Sequence, residues 1–372
     1  MATLNGHPVD RPAVNFCEIG GMKADPTDPD EFNIFNSPDW QPLLKLAEES
    51  TDIMRMRMPE LKPRPENCSA EFFTTEEKAE GRSRFTTTTL RVAGRTLSQV
   101  TRQDADVNTV WTTEHLLKDV DDLKAYLQLP NEVFSFDPDI GPLLEAEEEV
   151  QDRGIVMIDM LDPLGAAASL FPMQDYTIIA MTEQKLFQEL LEKLAGPILE
   201  RTRKVSELFP GHLWRIGGSE YAAEPYLPPH LFREYMVRHT KPMVSVIQEH
   251  GGYARIHSHG RLKAILPMII ETGAVAIDPV EPPPQGDIEL REIREQYGND
   301  LVIFGNIEIS DIENMEPSEF ERVVMQSLKD GTSGPGKGFV LMPSACPFGR
   351  EITTKTLTNY ETMVRLATEL VA

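Results

Sequence analysis

Between residues 251 and 308 the chain reads GGYARIHSHGRLKAILPMIIETGAVAIDPVEPPPQGDIELREIREQYGNDLVIFGNIE. Three short apolar runs, YARIH, AVAID and LVIFGN, each give way to a polar turn, and amphipathic helical stretches separate them. Strand-length runs alternating with helical patterns are the signature of βαβ units and a parallel sheet. Each run ends in a residue able to do chemistry: His257 with His259 just beyond, then Asp278, then Asn306. In a barrel of such units those positions fall at the C-terminal mouth, where active sites are built.

The same alternation is regular from Gly154 onward, and it predicts an α/β chain folded as a (β/α)8 TIM barrel. AVNFCEIGG reads as the first strand, and a helix is expected from Asp39 or Trp40 to about Arg57. RFTTTTLRVAGRTLSQVTRQ, two β-rich runs around AGR, reads as a hairpin inserted outside the barrel. WTTEHLLKDVDDLKAYLQLP reads as a turn followed by a short helix stopped at Pro130, and a closing helix is expected from Thr356 to Val371. Seven parallel-type strands can be counted, one short of a barrel's eight. With an N-terminal extension and the inserted hairpin, residues 1–372 are expected to form one domain.

Composition narrows the partners. A net charge of −24 argues against nucleic acid or an anionic membrane surface, and against a polyanionic substrate lacking a strong local basic pocket. Hydrophobic content of 40% is ample for a core, and no apolar run approaches the ~20 residues needed to cross a bilayer. The start of the chain lacks a secretory pattern. Three scattered cysteines, Cys17, Cys68 and Cys346, make no disulfide framework, so a reducing cytoplasm is the expected location.

His257 and His259 lie two apart at a strand end, so their side chains point the same way. They could supply half of a zinc site, with Cys346 completing a His2Cys set that leaves a fourth position open for catalysis. Equally, the pair could hydrogen-bond within a loop, and Cys346 could be a half-buried thiol. Asp278 is placed to act as general acid or base, to orient a metal-bound histidine, or to cap a loop; the EPPPQGD loop beyond it begins at Glu281. Glu220, in the long GGSEYAAEPYLPP loop with Tyr221, reads as acid, ligand or solvated residue. Asn306 could donate to substrate or brace its turn. Asp159 flanks the mouth in IDMLDP, where Asp162 reads as a cap.

VDRPAV, WTTEHLLKDVDDLKAY, GGSEYAAEPYLPPHLFREY, IHSHGRL, ETGAVAIDPVEPPPQGDI, FGNIE and LMPSACPFG, spread from about residue 9 to the C-terminus, carry a further signal. With these motifs the chain resembles the uroporphyrinogen decarboxylase superfamily, which includes zinc-dependent, corrinoid-linked methyltransferases. Decarboxylases of that family bind a polycarboxylated tetrapyrrole with an arginine-bearing motif of the type RQAGR. The corresponding FCEIGGMKAD has no arginine, which points away from porphyrinogen decarboxylation. The methyltransferase branch uses His-x-Cys and a distant Cys as zinc ligands. Here His257 matches the first, Cys346 the last, and His259 stands where the middle cysteine would be.

The resemblance implies a zinc-dependent methyltransferase moving a methyl group between a small substrate (a methyl ether, another methylated compound or a thiol) and a separate corrinoid-binding protein. Zn2+ would be held by His257, His259 and Cys346. Glu220, Asp278 and Asn306 are the expected catalytic residues, and Tyr221, Asp159 and Glu281 the expected substrate contacts. Two rivals stand beside it: a metal-free decarboxylase-like lyase acting on a carboxylated substrate, and a non-catalytic ligand-binding barrel.

Overall fold

A computed structural model describes residues 1–21, 25, 27–334, 336 and 338–369. Eight parallel strands form one curled sheet: β1 Ala13–Val14, β2 Ile53–Arg57, β3 Gly154–Leu161, β4 Leu213–Gly217, β5 Tyr253–Ser258, β6 Ala276–Pro279, β7 Val302–Ile307 and β8 Phe339–Pro343. Neighbours run β1-β8-β7-β6-β5-β4-β3-β2. The two ends of that order meet at Asp52. Its backbone N–H donates to the Val14 carbonyl at 2.8 Å, and its carboxylate accepts from Val14 N–H at 2.9 Å. The sheet is thus the α/β barrel that the alternation predicts, with helices outside.

Side-chain direction follows the two-residue period of a strand. Met54, Met157, Leu213, Ala276, Val302, Phe304, Val340 and Met342 pack together with Leu4 as an apolar layer inside the barrel. Their chain neighbours Ile158, Trp214, Ile277, Ile303 and Leu341 belong to the larger core shared with the helices. Two residues further along, the inward positions change from apolar to charged: Asp159, Arg215, Arg255 with His257, and Asp278. The register sets Asp159, Arg215 and Arg255 side by side, with His257 and Asp278 paired two residues further along, so the charged side chains gather at one end of the barrel.

The eighth strand is β2. The helix expected to run to Arg57 stops at Ser50, and IMRMR becomes a strand. Both readings suit its apolar spacing; pairing with β3 makes it a strand, and Asp52 ties it to β1. The inserted hairpin is the centre of a larger element. Ser83–Val92 and Arg95–Asp104 pair across Ala93-Gly94, and Phe73–Glu80 and Val110–Glu114 flank them in a four-stranded antiparallel sheet. The flanking strands show little alternation because they are largely exposed on both faces. After β3 comes the helix Pro163–Ala168, capped by Asp162, which accepts from Gly165 N–H at 2.7 Å. Val371, the expected end of the last helix, lies outside the described residues, as do Lys337 in the glycine-rich turn and residues 22–24. Among the described residues no helix is long and apolar enough to cross a membrane.

Candidate active site at the barrel mouth

Asp278 is the anchor of the charged layer. It is fully buried, with Arg255 Nε 2.9 Å from Oδ1 in a charge contact outside hydrogen-bond geometry, and His257 Nδ1 2.9 Å from Oδ2. Burial alone would raise its pKa; the charge of Arg255, the hydrogen bond from His257 and the charge of Arg215 overcome this and hold the carboxyl below the ordinary range. Arg215 Nη1 donates to Asp159 at 2.8 Å, and its Nη2 lies 2.9 Å from His257 Nε2. A guanidinium only donates, so Nε2 accepts, and the single imidazole proton sits on Nδ1, donated to Asp278. Burial pushes the His257 pKa down, against the pull of Asp278, and Arg215 adds to the push. His257 is a neutral ring of fixed tautomer.

His259 is different. Its Nδ1 lies 2.7 Å from Glu281 Oε1, while Gly260 N–H donates to Glu281 Oε2 at 2.5 Å. Burial opposes the charge on His259, but the hydrogen bond and charge of Glu281, with Glu220 and Asp278 behind it, raise its pKa. Its charged form is thus favoured over that of a free imidazole, and its side chain is 42% exposed. The two rings stand edge to face at 4.6 Å between centroids.

The remaining expected residues separate. Glu220, on the turn after β4, lies close enough to His259 to act on its charge, and one of its carboxylate oxygens is buried without a hydrogen-bond partner. Tyr221 is held through its backbone by the Tyr176 hydroxyl, its ring between Tyr176 and Tyr226. Asn306 faces away from the mouth: its Oδ1 accepts from Ser327 on the helix Pro317–Gly331 at 2.8 Å. Inward alternation along β7 ends at Gly305, whose φ of +156° and close approach to the Pro279 carbonyl re-aim the strand. Cys346 donates to Glu18 at 3.4 Å, and burial, then the charge of Glu18, pushes its thiol well above the ordinary value.

As placed, these side chains do not fit a His2Cys zinc site. Both nitrogens of His257 are engaged, one by a guanidinium, and Cys346 is held as a thiol beside a carboxylate. Among the described residues no three His, Cys, Asp or Glu side chains are gathered to hold a metal. Arg215, Arg255, Cys17, Glu18 and Glu308 belong to the mouth and were not singled out from sequence. The signal was there for the arginines: each interrupts an apolar run, LWRIG or YARIH, at an inward position.

With this geometry in place, comparison with solved structures finds a methyltransferase from Methanosarcina mazei, at TM-score 0.59 and 14% identity, covering 99% of this chain and 96% of that one. The chain has that methyltransferase's fold. The resemblance read from sequence motifs therefore meets a methyltransferase barrel over nearly its full length. A D-psicose 3-epimerase with D-tagatose from Clostridium cellulolyticum H10 overlaps less, at TM-score 0.34 and 10% identity over 61% of this chain and 92% of that one. No protein-family model matches the chain, and no curated protein does.

Proposed function

We propose that the chain is a methyltransferase, moving a methyl group between a small substrate seated at the barrel mouth and a corrinoid protein docked over it. The observation that carries the reading is the charged layer at the strand ends of a barrel whose whole-chain likeness is to a methyltransferase. His259, partly exposed and with its pKa raised by Glu281, donates a proton to the heteroatom that parts from the methyl group, and Glu281 favours the ring's charged form. Asp278 and His257 position Arg215, and Glu220 contacts the substrate. The corrinoid, when docked, supplies the acceptor for the methyl group. Exposed Leu161 and Phe348, at the ends of β3 and in the loop after β8, give the rim an apolar surface suited to a partner protein.

No step passes through zinc. Metal analysis of wild type beside His257→Ala and Cys346→Ala checks that choice: stoichiometric zinc lost in both variants would restore the His2Cys site to the account. A second reading, a metal-free lyase for a carboxylated substrate, is favoured by the buried guanidinium of Arg255 and the partly buried one of Arg215. They are already matched by Asp159 and Asp278, which weakens it. Methyl donors of several classes, assayed for transfer to a reduced corrinoid and for CO2 release, separate the two. Transfer without CO2 supports the methyltransferase; CO2 without transfer overturns it.

A further inference from the structure

The guanidinium of Arg215 stands between two carboxylates. Its Nη1 donates to Asp159 Oδ1 at 2.8 Å, while Glu18 Oε1, in the turn beyond β1, lies 3.9 Å from Nη2. That second distance is a charge contact, too long for a hydrogen bond. Nη2 instead lends one hydrogen to His257 at 2.9 Å. Each terminal guanidinium nitrogen carries two hydrogens, so Nη1 and Nη2 each keep a second one. Glu18 Oε2 accepts from the Cys346 thiol at 3.4 Å, and among the described residues no donor meets Glu18 Oε1 or Asp159 Oδ2 at hydrogen-bond distance. The three side chains are reachable: Glu18 is 30% exposed, Asp159 23% and Arg215 14%. Donor and acceptor capacity thus stand side by side on both edges of one guanidinium.

A carboxylate ligand could only accept here and an ammonium could only donate, whereas a hydroxyl does both. A hydroxyl oxygen about 2.8 Å from each partner closes the 3.9 Å gap, accepting from Nη2 and donating to Glu18 Oε1. A second hydroxyl on the adjacent carbon repeats the pattern with Nη1 and Asp159 Oδ2. We propose that the mouth recognises a neutral methyl ether bearing a vicinal diol, its two hydroxyls lying across Arg215 between Glu18 and Asp159. The inference rests on the methyl transfer proposed for this mouth, and it names the end of the substrate that does not react. Arg215 touches His257, and the His257 and His259 rings are 4.6 Å apart between centroids. The diol is therefore one imidazole away from His259, so a methoxy group on the next carbon extends toward that ring. An ether oxygen has lone pairs to take the proton His259 supplies.

Calorimetric titration of the full-length protein with two matched pairs tests it: 3-methoxy-1,2-propanediol against 1,2,3-trimethoxypropane, and 3-methoxycatechol against 1,2,3-trimethoxybenzene. Each pair keeps the skeleton and removes the hydroxyls. At least one diol is expected to bind about tenfold tighter than its counterpart, the worth of one hydrogen bond to a charged group. The pair that shows the difference tells an aliphatic diol from an aromatic one. Glu18→Met, which keeps the length of the side chain and removes its acceptors, should weaken that diol about tenfold, with the thermal midpoint checking that the variant is folded. Equal binding within both pairs, binding by neither diol, or unchanged diol affinity in folded Glu18→Met overturns the proposal. Should that variant not fold, the wild-type pairs decide alone. Diol binding without methyl transfer to a reduced corrinoid leaves this inference standing and removes the proposed reaction; transfer with no preference for the diols does the reverse.

Discussion

At the scale of single residues the charged layer is held by Asp278. Replacing it with Asn leaves Arg255 buried without a counter-charge, and breaking such a pair costs about 3–5 kcal/mol. Urea unfolding of Asp278→Asn should show that loss; an unchanged midpoint would show that the layer does not depend on this charge. Because the folded carboxyl titrates below its unfolded value, its contribution is full above about pH 4 and fades only as acid reaches the folded value. His259 works in the opposite sense. Its folded pKa is raised, so the pairing with Glu281 stabilises fully below about pH 6.5 and is lost as pH climbs through the raised value. Turnover that needs its proton should fall on the same alkaline limb, and His259→Gln should lower kcat about 10²–10⁴-fold and flatten that limb. A variant with an unaltered profile would remove His259 as the proton donor. His257, His259, Asp278 and Glu281 could be read from the sequence because strand ends locate themselves. Their partners could not: which nitrogen of His257 meets Arg215 depends on how four strands align.

Among the elements, β2 shows where reading a sequence stops. IMRMR has no glycine or proline before it, so helix and strand are equally compatible with its spacing, and pairing with β3 decides the matter. That pairing is close. A β-carbon added to Gly154 would run into the Ile53 carbonyl and come within 2.6 Å of Val150 Cγ2. Gly154→Ala should therefore push β2 and β3 apart at a cost of about 1–3 kcal/mol, visible as a lowered thermal midpoint. A midpoint equal to wild type would mean that the strands yield without loss. The hairpin was legible from its AGR turn, whereas its flanking strands, polar on both faces, carried no period to read. Asn306 illustrates the same limit in reverse, since position along β7 was right and direction was set by Gly305.

For the molecule as a whole, 36 basic residues against 60 acidic ones produce a field that repels polyanions and draws cations. Porphyrin tetracarboxylates should show no saturable fluorescence quenching with this protein at low salt; tight binding would revive the decarboxylase-like reading. The barrel was legible because the βαβ alternation reports topology directly, while the metal question was not, because ligand identity says nothing of what else each ligand touches. The most direct measurement follows the deuterium-labelled methyl group of a methyl ether through a single turnover with reduced corrinoid protein, by mass spectrometry, for wild type and His259→Gln. The label should pass to the corrinoid in the wild type and only slowly in the variant. Label that stays on the ether in both would contradict methyl transfer at this mouth.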